Sequence, residues 1–218
     1  MEFRQAVKYP TRTDNWLVQT FLGGVMWALS PFLLPLVVVL GYYIHNTQHL
    51  VDGGDTLLEF DDWSKYFELG IRGTVIVLAY SVIPFIGMVA SVGVIGSAMG
   101  IQQTNATLFT IGLFSFFASI VVWIALLPGA LIHMGHQNSL KAGFKIGELS
   151  RIWTSKKYLL TTTILLVATV VAQLLLNIFV LVTIGFGLFL IPFMINLFCL
   201  VALRFYADDY QQVMIADE

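Results

Sequence analysis

The chain has 218 residues, of which 58% are hydrophobic and only 11% are charged, and its formal net charge at pH 7 is −2. Soluble domains have roughly 25% charged residues, and a soluble chain of this length could not bury so much apolar surface. The composition therefore excludes an ordinary water-soluble globular protein. The near-neutral charge gives no indication of a nucleic-acid partner.

Long apolar runs occupy most of the chain after a basic N-terminal segment. The first run, 17–44, is interrupted by Pro31 and Pro35, and the polar stretch 45–72 follows it. A helix of about 20 residues, rising about 1.5 Å per residue, crosses a hydrocarbon core of about 30 Å. The later runs therefore predict four transmembrane helices, at 74–99, 108–132, 158–182 and 184–202.

The distribution of basic residues predicts how often the chain crosses the membrane. All 11 Lys and Arg residues lie in the N-terminus, the 65–72 loop, the 141–157 loop and the C-terminal end. Five crossings would place the N-terminal and the 141–157 bases on opposite sides, against the positive-inside rule. Because proline removes a backbone donor and clashes with the preceding turn, we expect run 17–44 to form a broken or re-entrant hairpin. Four crossings then remain, and both termini are predicted to be cytoplasmic in a cell membrane.

Two polar segments predict helices that lie on the membrane surface. In segment 60–70, Trp63, Tyr66 and Phe67 share one side, and aromatic residues anchor helices at headgroup depth. Segment 139–153 is weakly amphipathic, and bases in and after it can contact anionic lipid at about 1 kcal/mol each or serve only as orientation signals. These bases are Lys141, Lys145, Arg151, Lys156 and Lys157. The sequence thus predicts one all-α domain over 1–218, a polytopic membrane helix bundle with a broken hairpin, four transmembrane helices and two interfacial helices.

Polar and small residues inside the predicted spans are few. No charged residue lies in the middle of a span, which disfavours an ion-coupled pump. The amides of Gln173, Asn177 and Asn196 can line a solute path, although such amides more often bond across a helix interface. A series of glycines has spacings typical of close helix packing. These glycines are Gly87, Gly93, Gly96 and Gly100.

The four histidines form two pairs at helical spacing, His45/His49 and His133/His136. Histidines at i and i+4 face the same way and imidazole is a common zinc ligand, so a shared zinc site is one hypothesis. No cysteine or glutamate at a fixed spacing accompanies the pairs, and we expect ordinary interfacial histidines instead. Motifs for nucleophiles, zinc hydrolases and phosphate loops are missing from the sequence. We therefore predict no catalytic residue, no cofactor and no metal.

Several short segments together resemble one protein family. They are Asp-Asn-Trp-Leu at 14–17, Gly-Tyr-Tyr at 41–43, Glu-Phe-Asp-Asp-Trp at 59–63 and Ala-Leu-Arg-Phe-Tyr at 202–206. The chain resembles, over essentially its whole length, the DUF4013 family of uncharacterised membrane proteins, found largely in archaea and especially in haloarchaea. The resemblance implies an archaeal cell membrane, or a virus of such a host, and it carries over no activity and no functional residue.

These observations favour a non-enzymatic structural or accessory subunit of a membrane assembly. Its partners would be membrane lipids and either other membrane subunits or further copies of the chain. One alternative is a transporter or channel-like protein for a small or apolar solute, with a midplane site at the hairpin and at breaks near Pro84 and Pro192. A weaker alternative is a lipid-handling enzyme with its chemistry at the histidines.

Overall fold

The computed structural model describes residues 3–100, 106–183 and 185–215. These residues are mostly helical and contain no strand. The α-helices are α1 (Phe3–Lys8), α2 (Trp16–Ala28), α3 (Leu34–Val51), α4 (Trp63–Tyr80), α5 (Val82–Gly100), α6 (Ala106–His136), α7 (Ile146–Trp153), α8 (Lys156–Val182) and α9 (Ile191–Tyr210). Within these described ranges, four stretches are long and apolar enough to cross a membrane, namely Trp63–Ser97, Ala106–His136, Lys156–Val182 and Gly187–Ile215. The predicted all-α membrane bundle is confirmed.

The first apolar run forms a helical hairpin in which the chain reverses direction. A turn at 29–33 joins α2 to α3 and contains Pro31 within a short 3₁₀ segment. Pro35 lies in the first turn of α3, where its missing N–H has no intrahelical acceptor to lose. Across the hairpin, the Trp27 indole N–H donates to the Tyr43 hydroxyl at 2.7 Å. Both ends of the hairpin therefore lie at the same end of the molecule.

The predicted interfacial helix at 60–70 is not a separate element. It is the first part of α4, which runs without interruption from Trp63 to Tyr80. The Asp62 side chain caps its start by accepting from the Lys65 amide at 3.0 Å, as expected for an aspartate at an N-cap. The helix continues past residue 70 because its inner face packs on α3 along most of its length.

The span predicted at 74–99 is divided into two helices. The division falls at Ser81, between α4 and α5, three residues before Pro84. Since proline has no N–H, the Tyr80 carbonyl loses its intrahelical donor, and the proline ring crowds the same turn. The two helices nevertheless form one apolar stretch, Trp63–Ser97, that is long enough to span a membrane.

The last predicted span begins and ends later than expected. The sequence placed it at 184–202, whereas α9 covers Ile191–Tyr210, and residue 184 lies outside the described residues. Gly185 has a φ of +89°, and a 3₁₀ segment, Phe186–Leu190, follows it. This turn delays the start of α9, and Pro192 consequently lies in its first turn rather than breaking it. The other two spans, 108–132 and 158–182, lie within α6 and α8.

The predicted interfacial helix at 139–153 is also divided. A 3₁₀ segment, Leu140–Phe144, precedes α7. Its Gly143 packs so closely on Ile76 of α4 that a side chain there would collide with it, and the Gly143 carbonyl accepts from the Tyr80 hydroxyl at 3.0 Å. This docking holds the segment outside regular α-helical geometry. The short α7 then buries Leu149 and Ile152 against the bundle.

All the long polar loops meet at one end of the molecule, which we call the polar end. Gln48 of α3 donates to the Gly135 carbonyl at 2.6 Å, and Arg72 of α4 donates to the Asn138 side chain at 2.9 Å. At the same end, Arg12 pairs with Asp55. The basic residues of both loops and of both chain ends therefore lie together, as the four-crossing topology predicts. The side of the membrane that this end faces stays a prediction.

The buried core also lies at the polar end, while the apolar halves of the long helices extend away from it. The buried residues of α8, for example, are Tyr158, Thr162 and Leu165, all among its first ten residues. In the most apolar windows of α6 and α8, only 6% of the residues are buried inside the chain. Phe114 of α6 is 76% exposed and Leu181 of α8 is 80% exposed. These helices therefore present apolar side chains to lipid or to another protein.

Candidate functional site

The helix α6 is opened where it enters the polar end. Pro128 lies inside α6 and has no N–H to donate. The Tyr158 hydroxyl of α8 inserts beside it, accepting from the Gly129 amide at 3.0 Å and donating to the Ala125 carbonyl at 2.7 Å. In a regular helix the Gly129 amide and the Ala125 carbonyl would bond to each other. The inserted hydroxyl therefore replaces one rung of the helix and ties α8 to α6.

One turn further along α6, His133 is the centre of a buried hydrogen-bond network. Its side chain is 0% exposed, and its Nε2 lies 2.8 Å from Glu148 Oε2 of α7. Its Nδ1 lies 2.8 Å from the Tyr210 hydroxyl of α9. Because a carboxylate only accepts, Nε2 carries the proton and Nδ1 accepts from the tyrosine. His133 thereby joins three helices.

The outer side of this network is charged. Lys145 donates to the other oxygen of the Glu148 carboxylate at 2.9 Å and to the Gln137 side chain at 3.1 Å. The hydrogen bond from Lys145 is the main cause that lowers the pKa of Glu148 below its usual value, so this carboxylate is ionised at neutral pH. The arrangement resembles a catalytic relay in its residue types, but His133 and Tyr210 are both buried. Neither presents a reactive atom to a substrate.

The other three histidines line a separate polar cleft between α3, α4 and α6, which we call the histidine cleft. Its volume is about 300 Å³, and its walls include His45, His49, Asp52, Lys65 and His136. Across the cleft, His136 Nδ1 lies 3.8 Å from Asp52 Oδ1. The histidine pairs therefore divide, with His136 joining the first pair in the cleft while His133 points into the core.

His45 is the most constrained group of the cleft. Its Nε2 lies 2.7 Å from Lys65 Nζ, and since an ammonium can only donate, this nitrogen is the acceptor. Burial, and then the positive charge of Lys65, lower the pKa of His45, so the ring is neutral with its proton on Nδ1. That nitrogen is buried and has no hydrogen-bond partner among the described residues. His49 Nε2 is likewise buried without a hydrogen-bond partner among the described residues.

The zinc hypothesis receives no support from this geometry. Across residues 3–100, 106–183 and 185–215, no group of three or more histidine, cysteine, aspartate or glutamate side chains is arranged to hold a metal ion. The ammonium of Lys65 beside His45 also opposes a bound cation by direct repulsion. That the protein binds no metal stays a prediction.

The bases predicted to contact anionic lipid have different surroundings. Lys145 binds Glu148 within the network, and Lys157 donates to the Gln212 side chain. Lys141, Arg151 and Lys156 are exposed at the polar end. The lipid contact of these five bases stays a prediction, and the position of Lys145 shows that it also has a structural role.

The amides inside the spans behave in two ways. Asn196 of α9 is fully buried, accepts from the Tyr43 hydroxyl at 2.7 Å and donates to the Thr20 carbonyl at 3.2 Å. It therefore bonds across helix interfaces, as predicted. Gln173 and Asn177 are instead exposed on α8, four residues apart on one face of the helix. Among the described residues, neither amide side chain has a hydrogen-bond partner.

The predicted glycine packing face is only partly correct. Gly87 packs directly on Ser119 of α6, so a side chain at Gly87 would collide with it. Around Gly93 and Gly96, by contrast, nothing lies within 4 Å of where a Cβ would be. Side-chain space at Gly100 is not described. A much closer helix contact lies elsewhere, between Gly41 of α3 and the backbone of α4.

Sequence reasoning missed several residues of the polar end. Pro128-Gly129 inside a long apolar run is a local signal for an opened helix, but nothing in the sequence shows that Tyr158 would fill the opening. The partners Glu148 and Tyr210 come from α7 and α9, and only the folded chain brings them to His133. Helical spacing placed the histidine pairs on helix faces and could not show which face each would occupy.

The fold and this end of the bundle together define a polytopic helical membrane protein with a histidine-rich polar end. A family model described as "Protein of unknown function (DUF4013)" matches residues 25–181, and the chain belongs to this family. The resemblance noted in the sequence is thereby confirmed at the level of the family. No curated protein and no solved structure matches the chain.

Proposed function

We propose that the protein is a non-enzymatic structural or accessory subunit of a membrane assembly, which binds a neighbouring protein through α8. The observation that carries this proposal is the pair of exposed amides, Gln173 and Asn177. They lie about 22 to 28 Å along α8 from Tyr158, at a rise of about 1.5 Å per residue. A hydrocarbon core of about 30 Å that begins near Tyr158 contains Gln173, which has no water to bind there, and ends close to Asn177. Side-chain amides inside a membrane typically bond across helix interfaces.

The hairpin supports the same proposal. With α2 starting at the polar end, its 13 residues place the 29–33 turn about 20 Å deep. Irregular backbone at membrane depth needs cover from protein or from a water-filled cavity. The side chains of Phe32 and Leu33 at this turn are largely exposed in the single chain, so a neighbouring protein would supply that cover.

A second copy of the chain is the first partner to test, because each amide contains both donor and acceptor groups and can pair with its own counterpart. The experiment compares oligomers of the wild type and of a Gln173→Leu/Asn177→Leu variant by native mass spectrometry from lipid nanodiscs. Thr163→Val is the matched control, since Thr163 is exposed on the same helix but its hydroxyl bonds to the Leu159 carbonyl at 2.8 Å. We expect the double variant to lose the partner and Thr163→Val to retain it.

A photo-crosslinking residue at Phe32 tests the hairpin separately. A protein adduct at Phe32, with mainly lipid adducts at the similarly exposed Phe189, supports a subunit interface at the turn. Lipid adducts alone at both positions, together with a monomeric wild type, would refute the subunit proposal. An archaeal cell membrane, with the polar end in the cytoplasm, is the location that the family resemblance and the basic residues support.

One observation favours the transporter alternative. A cavity of about 180 Å³ lies between α3, α6 and α9 beside Pro128, and Leu127, Leu131 and Cys199 are among its mostly apolar lining residues. Such a cavity suits a small apolar solute rather than an ion. Filling it with Leu131→Trp distinguishes the two functions, because the substitution should abolish solute flux in proteoliposomes while leaving assembly through α8 intact.

A further inference from the structure

The helices α5 and α6 form a long hairpin that packs mainly on itself. A Cβ at Gly87 of α5 would collide with Ser119 of α6. Towards the other end of α5, a Cβ at Gly112 of α6 would collide with Ile95. Among the described residues, α5 has only slight contact with elements other than α6. The two helices therefore interlock over most of the length of α5, and we call α5 and residues 106–127 of α6 the α5–α6 arm.

The arm is joined to the rest of the chain at two breaks in helix geometry. The first is at Ser81, between α4 and α5. The second is the opened turn of α6 at Pro128. Apart from Gly112, which packs on α5, the buried residues of α6 all lie at or beyond Gly129. Sharp kinks of helices occur at prolines and where a side chain inserts into the hydrogen-bond ladder, and α6 has both features at this turn.

Trp153 of α7 contacts both breaks. Its ring lies edge-on to that of Tyr80, the last residue of α4, with 6.3 Å between the ring centroids. Its indole N–H donates to the Leu126 carbonyl at 3.1 Å, just before the opened turn of α6. A Cβ at Gly129 would lie only 2.8 Å from the indole nitrogen, so the absence of a side chain there allows this approach. The two breaks therefore lie beside the same side chain, at one level of the molecule.

We propose that the α5–α6 arm pivots on the polar end about these two breaks, and that Tyr158 and Trp153 form a latch that holds it in the position seen. A regular helix resists bending because its backbone hydrogen bonds would break. At Pro128 one of those bonds is missing, and the next one is replaced by the Tyr158 hydroxyl. Bending of α6 at this turn therefore costs bonds to side chains of α7 and α8 rather than bonds of its own ladder.

A pivot at this turn has two geometric consequences. Leu127 of the arm and Leu131 beyond the opened turn both line the apolar cavity beside Pro128, so a swing of the arm changes the width of that cavity. Phe114 lies about 22 Å along α6 from Gly129, and a swing of about 20°, the size of a marked helix kink, moves it by about 8 Å. The inference does not depend on the assembly through α8, because the latch uses only the first turn of that helix.

The test measures distances between two spin labels by double electron–electron resonance in lipid nanodiscs, with labelled protein diluted by unlabelled protein. The full-length chain contains Cys199→Ala, so that only introduced cysteines are labelled. The arm pair is Phe114→Cys with Phe189→Cys, two largely exposed positions on α6 and just before α9. The reference pair is Ile146→Cys with Phe189→Cys, which lies outside the arm and shows whether the rest of the fold is intact.

Two variants each remove one part of the latch. Tyr158→Phe removes the inserted hydroxyl, and Trp153→Phe removes the donor to the Leu126 carbonyl. The matched control is Tyr42→Phe, which also removes a tyrosine hydroxyl at the polar end, but one that bonds outside α6, to the Leu58 carbonyl at 2.8 Å.

We expect each latch variant to broaden the distance distribution of the arm pair by about 8 Å, while the reference pair stays unchanged. Tyr42→Phe should leave both distributions as in the wild type. Adding Pro128→Ala to Tyr158→Phe should narrow the arm distribution again, because the new N–H and the Gly129 amide can re-form the helix ladder. If both latch variants keep the wild-type distribution, or if Tyr42→Phe broadens it as much as they do, the proposal is wrong.

Discussion

The contact between α3 and α4 predicts a large effect of adding one methyl group, Gly41→Ala. A Cβ at Gly41 would lie 2.8 Å from the Gly70 nitrogen and even closer to the Tyr66 carbonyl oxygen, whereas ordinary van der Waals contact is 3.4–4 Å. Both are backbone atoms of α4, so only a separation of the two helices can relieve the collision. The same approach is seen from the other helix, where a Cβ at Gly70 would collide with the Val37 carbonyl.

The expected loss of stability follows from two opposing effects. Overpacking costs about 1–3 kcal/mol, with a backbone collision at the upper end, while alanine in place of glycine favours the helix by about 1 kcal/mol. We therefore expect Gly41→Ala to destabilise the protein by about 2 kcal/mol. For a chain of this length, that lowers the melting temperature by about 4–8 °C.

The assay uses the single cysteine, Cys199, which is partly buried, as the reporter. Thermal unfolding in detergent exposes it to a maleimide fluorophore, and the midpoint is compared across variants. Gly96→Ala is the matched control, because nothing lies within 4 Å of its added methyl group, and its melting temperature should be equal or slightly higher. A Gly41→Ala protein that melts with the wild type would show that the two helices are not packed as described.

Three further predictions concern the polar end and the topology. Tyr158→Phe removes the hydroxyl inserted into α6 and should lower the free energy of unfolding by about 1–3 kcal/mol, measured in the same thermal assay. Tyr80→Phe, which removes one bond to the Gly143 carbonyl, should lower it by less. The lowered pKa of His45 means that the unfolded chain binds its proton more readily, so stability falls as pH drops below about 6.5, and His45→Gln should reduce this loss between pH 7 and 5.5. In a cysteine-free background, an impermeant maleimide should label Gln102→Cys but not Gln137→Cys in whole cells. Labelling of both from outside would contradict the four-crossing topology.

Much of the fold follows from features that can be read locally in the sequence. Pro31 breaks a run that is too apolar for a loop, and the placement of lysine and arginine requires the chain to return, so the hairpin was predictable. Pro84 marks the division of the next span. The early start of α4 at Trp63 depends on the packing of α4 against α3, which the sequence does not show. Helix boundaries near Gly143 and Gly185 were missed because tertiary docking and a left-handed glycine set them.

The candidate site was much less predictable. Helical spacing grouped His133 with His136, but the two rings lie in different environments. His133 forms buried hydrogen bonds with Tyr210 and Glu148, whereas His136 packs edge-on against the Tyr210 ring and lines the cleft. The tautomer of His45 is set by Lys65, which approaches Nε2 from α4 and is 20 residues away in the sequence. Such pairings come from the packing of separate helices, and no local pattern of residues encodes them.

The bonds that Asn196 makes to α2 and α3 have a consequence for how the protein is made. Asn196 belongs to the last helix, whereas Thr20 and Tyr43 belong to the first two helices of the hairpin. During synthesis the hairpin leaves the ribosome more than 140 residues before its partner. Until α9 is inserted, the Tyr43 hydroxyl lacks its native acceptor and the Thr20 carbonyl lacks the Asn196 donor. The newly made hairpin must therefore wait at the insertion machinery or in contact with lipid headgroups, and truncation before α9 should send the chain to degradation.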